Sequence, residues 1–111
     1  MTKQEIFDKV AVHLVAQNER SWDYNTCLYR GPNGLKCAVG CLIPDNEYTP
    51  EMETKSAQFV LPMLSDKTLS NSFELEEMLS NLQRLHDGWT PEHWPQKLRD
   101  IAKEYGLTCP V

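Results

Sequence analysis

Residues 27 to 43, Cys27-Leu-Tyr-Arg-Gly-Pro-Asn-Gly-Leu-Lys-Cys-Ala-Val-Gly-Cys-Leu-Ile43, constrain the fold of this 111-residue chain more than any other stretch. They hold three of its four cysteines and three of its five glycines. They also carry its one strong strand-turn signal, and helical patterns flank them on both sides. Thr26 to Arg30 alternates in polarity and is partly β-branched or aromatic. Gly31-Pro-Asn-Gly34 supplies a turn, because Gly accepts a positive φ and Pro fixes its own. The expectation is a β-hairpin from residue 26 to residue 37 with a brief second arm, Leu35 to Cys37. Ala38 to Ile43 follows, apolar all round and stopped by Pro44. It reads as a short buried helix, and a buried strand fits the residue types nearly as well.

The rest of the chain reads as helix packed around that stretch. Thr2 and Glu5 have the spacing of a capping box, and Ile6, Phe7, Val10, Ala11 and Leu14 recur at three- and four-residue steps, so residues 3 to 17 form an amphipathic helix. Asn18 to Asn25 breaks the period and reads as a loop whose Trp22 and Tyr24 rings cover the core edge. Thr49-Pro50-Glu51 opens a short helix that Pro62 limits, and Ser65 to Ser70 is loop. Asn71 and Glu74 cap the longest helix, with the stripe Leu75, Met78, Leu79, Leu82 and Leu85, ended by Gly88. Trp94, Leu98, Ile101, Ala102 and Tyr105 mark a last helix ending at Gly106. Thr90-Pro91-Glu92 repeats the helix-start pattern of Thr49-Pro50-Glu51, and Pro95 offers the other start, at Trp94, with residues 90 to 93 as a turn. The fold class is α+β: a mostly helical single domain, 1–111, of about four helices with one short β-hairpin.

Composition removes several function classes. The longest apolar run, Ala38 to Ile43, is far short of the roughly 20 residues that span a bilayer. Charges at Lys3, Glu5, Asp8 and Lys9 occupy the place of a signal peptide's apolar region. A cytoplasmic setting follows, with the cysteines as reduced thiols. The net charge of −5 argues against direct nucleic-acid binding, which needs clustered Lys and Arg. Between Asp45 and Met78 eight acids face two bases. Such a surface can meet a basic partner, although helix N-termini already favour acids and solvated faces carry them too.

Tyr29-Arg-Gly-Pro-Asn-Gly-Leu-Lys-Cys-Ala-Val-Gly-Cys-Leu-Ile-Pro-Asp45, with Leu82-Gln-Arg-Leu-His-Asp87 and a Trp-containing last helix, resembles small uncharacterised proteins of bacteriophages and prophages. These share a "YRGxxGxKCAxGxLI" segment and an "LQxxHD" helix, and the likeness covers most of the chain. It implies a mobile-element origin and a bacterial host, and it brings no activity with it. A more distant likeness is to bacterial proteins with "GxCAxGAL" followed by "NDxxG", from which Cys41 and His86 depart.

The residues offer three chemistries. Cys37 could be a nucleophile at a helix start beside Lys36, with His86 and Asp87 as base and orienting acid. Neighbouring helix positions diverge by about 100°, however, which places Asp87 poorly for His86. Cys27, Cys37 and Cys41, completed by His86, could hold a metal, although their spacing matches no common zinc pattern. Tyr29, Arg30, His86 and Asp87 could line a small-ligand pocket at the hairpin edge; in the structural reading Asp87 bonds to backbone donors of the following loop or to Arg30 across the core. Buried thiols and a helix-end histidine account for the same residues without chemistry. Gly31 to Gly34 lacks the Gly-Lys-Ser/Thr ending of a P-loop. No cofactor is expected. The preferred reading is an accessory protein that binds a host protein, an inhibitor of a host system being one form of it. The rival is a small enzyme or a nucleotide- or small-ligand-binding protein using a pocket near Arg30, Cys37, His86 and Asp87.

Overall fold

The computed structural model describes residues 1–23 and 26–111. Helix α1 spans Lys3–Gln17, and its capping box is formed as the sequence requires. The Thr2 hydroxyl accepts from the Glu5 N–H, and the Glu5 carboxylate accepts from the Thr2 N–H. Its face of Ile6, Phe7, Val10, Ala11 and Leu14 is buried, and Asn18 closes it in the left-handed conformation that Asn tolerates. Strands β1 (Trp22–Asp23) and β2 (Thr26–Cys27) pair antiparallel, with Trp22 opposite Cys27. The expected position of Tyr24 lies outside the described residues.

The hairpin is therefore real but displaced from residues 26 to 37. Pro32–Gly34 is a 3-10 turn, and Asn33 and Gly34 both take positive φ there. That turn leads away from β2, and the chain after it pairs with side chains. The Gln17 amide bonds to both backbone groups of Lys36, its Oε1 accepting from the N–H at 2.9 Å and its Nε2 donating to the carbonyl at 2.8 Å. Residues 38 to 42 make a turn and a 3-10 segment, Gly40–Leu42, before Pro44; this is one helical turn, tighter than the expected helix and not a strand. Ala38, Val39, Leu42 and Ile43 all join the core.

Pro50–Thr54 is a 3-10 segment, α2 covers only Ala57–Val60, and another 3-10 turn follows over Leu61–Met63, as Pro62 dictates. Lys67–Leu69 adds a 3-10 turn where loop was expected. Helix α3 runs Phe73–Gly88 with its stripe buried, but its cap is Ser72, whose hydroxyl accepts from the Leu75 N–H at 3.0 Å, one residue beyond the expected Asn71. Helix α4 (Trp94–Glu104) starts after a 3-10 turn at Pro91–His93, where Pro95 places it. It ends in a Schellman closure, with Leu107 N–H donating to Ala102 and Gly106 at φ 69°. Among the described residues no helix is long and apolar enough to cross a membrane.

Gly40 is the tightest point of the fold. A Cβ there would overlap the carbonyl of Tyr29, which is backbone and cannot swing aside. We expect Gly40→Ala to destabilise the protein by about 2 kcal/mol or more, in the range of overpacked cores. Urea unfolding of the two proteins checks this, and equal midpoints would show that the two segments separate freely.

Candidate functional site

The last turn of α3 brings the polar chemistry of the molecule together. His86 extends the buried stripe, one turn after Leu82, and is fully buried with its ring stacked on Trp94 at 5.6 Å. Its Nε2 accepts the Ser21 N–H at 2.9 Å, and its Nδ1 lies 2.8 Å from Asp87 Oδ1. Since Nε2 is an acceptor, the ring hydrogen sits on Nδ1 and is donated to Asp87. The expectation that Asp87 is badly placed for His86 is thus corrected. The two Cβ directions diverge, but Nδ1 lies near its own backbone and the short Asp87 side chain reaches it. Gln83, one turn earlier, donates from Nε2 to Asp87 Oδ1 at 2.9 Å and to Cys27 Sγ at 3.0 Å, while its Oε1 accepts the Val39 N–H. Cys27 Sγ is 4.0 Å from His86 Nδ1.

These contacts set the protonation states. Burial disfavours the imidazolium; bonds to Asp87 and Cys27 favour it and carry the His86 pKa above its ordinary value. A second proton can enter only at Nε2, against the Ser21 N–H, so the geometry shown is that of the neutral ring. Burial would raise the Asp87 pKa, but bonds from His86, Cys27 and Gln83 outweigh it, and the pKa lies below the ordinary 3.8. The Cys27 pKa is raised, first by the neighbouring Cys37 thiol and then by burial. Burial pushes Cys41 up to about 12. A nucleophilic cysteine needs the opposite, and it needs a base whose lone pair faces it. Here the only free lone pair of His86 is spent on Ser21, and Cys37 is fully buried with its sulfur accepting the Gly40 N–H at 3.3 Å.

The expected pocket of Tyr29, Arg30, His86 and Asp87 does not form as one site. Arg30 turns the other way, donating to the carbonyls of Gly40 (2.9 Å) and Ile43 (2.7 Å) and to Asp45, over the ring of Tyr48. Its own N–H and that of Tyr29 are held by the Glu53 carboxylate. Arg20 lies near Asp87 instead, its Nη1 donating to the Asp87 carbonyl at 3.1 Å. Cys41 donates its thiol hydrogen to Ala38 and stands apart from the cluster. Tyr29 and Asp87 do share a cleft of about 240 Å³, also lined by Cys27, Glu53 and Gln83. A second hollow of about 380 Å³ adjoins it through Ala57, Gln83 and Asp87.

Cys27 Sγ, a ring nitrogen of His86 and a carboxylate oxygen of Asp87 all lie within 4.8 Å of one another. A metal on Nδ1 would move the ring hydrogen to Nε2 and break the Ser21 contact. Two N–H groups would then face each other across a 2.9 Å contact, a cost of at least about 1–3 kcal/mol that any metal bound there must exceed. Gln83 and Ser21 are the members that sequence reasoning missed. The i, i+4 spacing of Gln83 and Asp87 was a usable signal for the first, whereas a backbone N–H leaves no trace in a sequence.

No protein-family model, curated protein or solved structure matches the chain.

A carboxylate whose folded pKa is depressed adds stability above its unfolded pKa and loses it as pH falls through the folded value. Asp87 is such a group. We expect wild type to exceed Asp87→Asn in urea midpoint at neutral pH, with the gap closing below about pH 4. A gap that stays constant into strong acid would show that Asp87 carries no such linkage.

Proposed function

We propose that this is a small accessory protein of bacteriophage or prophage type that acts by binding a protein of its bacterial host in the cytoplasm. The observation that carries the reading is a set of unburied apolar side chains in the acid-rich half of the chain. Phe73 is 80% exposed, Met63 56% and Phe59 54%. Phe59 and Met63 project from the segment 57–63, which faces α3 across a groove. Gln58 and Glu76 belong to both hollows of that groove, and Phe73 and Glu77 line one of them. Large apolar groups beside a groove and among acids are the kind of surface that a partner's contact covers. The polar cluster of the interior supports the same reading from the other side, because its one histidine lacks a lone pair free to act as base.

A small-ligand or enzymatic reading has one specific observation in its favour, the cleft where Cys27, Tyr29 and Asp87 meet. It no longer includes Arg30 or Cys37, which the fold directs elsewhere.

The two readings part in one experiment. Immobilised protein exposed to bacterial host lysate should retain one partner in stoichiometric amount, and the double variant Met63→Ser/Phe73→Ser should lose it. Both side chains are largely exposed, so the variant's stability should stay within about 1 kcal/mol of wild type. Absence of a stoichiometric partner, or equal retention by the variant, would overturn the proposal.

A further inference from the structure

We propose that Cys27, His86 and Asp87 form a zinc site with three protein ligands and a fourth position open to the cleft beside β2 and α3. The donors are a thiol, an imidazole nitrogen and a carboxylate oxygen, the set that suits zinc and disfavours magnesium or calcium. They come from two elements that the fold presses together, the end of β2 and the last turn of α3. In a tetrahedral site with bonds of about 2.0–2.3 Å, neighbouring ligand atoms stand roughly 3.3–3.8 Å apart. The observed separations bracket that range, at 2.8 Å for Nδ1 to Oδ1 and 4.0 Å for Nδ1 to Sγ. His86 is fully buried against Trp94, whereas Cys27 and Asp87 are partly buried at the edge of the cleft, so the adjustment to metal-ligand spacing falls to these two side chains. Both line the cleft, which leaves the fourth position to water.

An outer contact is already in place. Gln83 donates one amide group to both Cys27 Sγ and Asp87 Oδ1, holding the two ligands side by side. The proton inventory is definite. Asp87 enters ionised, Cys27 gives its thiol hydrogen to solvent, and the ring hydrogen leaves Nδ1 while Nε2 takes one up. One proton is released per zinc ion bound. The Ser21 N–H then loses its acceptor, an event 2.9 Å from the ring on the side away from the metal. This inference stands apart from the host-protein reading, since the metal site and the Phe73 groove use different residues.

The test is titration of the reduced, full-length protein with cobalt(II), followed by zinc. One equivalent should bind, with a thiolate-to-cobalt band in the near ultraviolet and the visible bands of a tetrahedral ion, and zinc should displace it. Cys27→Ser should abolish the thiolate band. Asp87→Asn, which keeps an acceptor for the ring hydrogen, should weaken binding about 10-fold or more. The double variant Cys41→Ser/Cys109→Ser should bind as wild type. In an amide NMR spectrum the Ser21 resonance should shift with the first equivalent. The proposal is overturned if the folded protein shows no saturation at one equivalent, if Cys27→Ser keeps the thiolate band, if Asp87→Asn binds as tightly as wild type, or if the Cys41/Cys109 variant loses the signal. That last result would mean an adventitious surface thiol only. An unmoved Ser21 amide at saturation would place the ion away from His86 and overturn it equally.

Discussion

A buried peptide segment that forms no strand ladder and only one helical turn has backbone groups that something else must satisfy. Residues 36 to 43 are that segment, and the fold depends on how it is paid for. Gln17 of α1 takes both groups of Lys36, with His13 adding a second donor to its carbonyl at 2.9 Å. Gln83 of α3 takes the Val39 N–H, and Arg30 takes the carbonyls of Gly40 and Ile43. Three regions distant in sequence are thus tied to one strip of backbone, and the apolar side chains of that strip reach the core between them. Each bond adds only about 1 kcal/mol net, but leaving a buried carbonyl or N–H unpaired costs more than that. The side chains are therefore obligatory partners of the strip, and Arg30 in particular is committed to the interior backbone.

That commitment explains what could and could not be read from the sequence. α1, α3 and α4 were legible because each buries a stripe at helical spacing and is bounded by residues with a local reason to stop or start, such as Thr2, Pro95 and Gly106. The hairpin was legible as a type of element and misplaced, since Pro32-Asn33-Gly34 is a turn by its own chemistry yet does not say what its arms pair with. The arms were settled by Gln17, whose amide substitutes for a neighbouring strand. The site was harder still. Cys27 and His86 are 59 residues apart, and only the packing of β2 on α3 makes them neighbours. Arg30 looked available for Asp87 because the carbonyls of Gly40 and Ile43 do not appear as acceptors in a sequence.

The cysteines illustrate how far placement overrides residue type. Cys37 begins the helical turn, and its sulfur takes the Gly40 N–H as a capping residue's oxygen would. Cys41 returns its thiol hydrogen to Ala38 inside the same turn. Both act as small residues that also close a backbone bond, a use that suits a strip pressed against Tyr29 at Gly40. Cys27 differs in lying at the end of a two-residue strand, with its sulfur turned toward Gln83, His86 and the cleft.

Every described buried side-chain nitrogen and oxygen has a partner. Chemistry with an outside molecule therefore requires a group with capacity to spare, and the fold leaves little of it. Glu53 divides its two oxygens among Tyr29, Arg30 and Tyr48. His86 has both nitrogens engaged, so it can gain a partner only by giving one up. Asp87 takes bonds from His86 and Gln83 on Oδ1 and a further one from Cys27, yet its side chain remains 37% exposed. The spare capacity thus lies where the last turn of α3 emerges from the core, and it faces a cleft. Among the described residues, the cleft at Cys27 and Asp87 sits at the margin of a network whose main work is to hold an irregular strip of backbone in place.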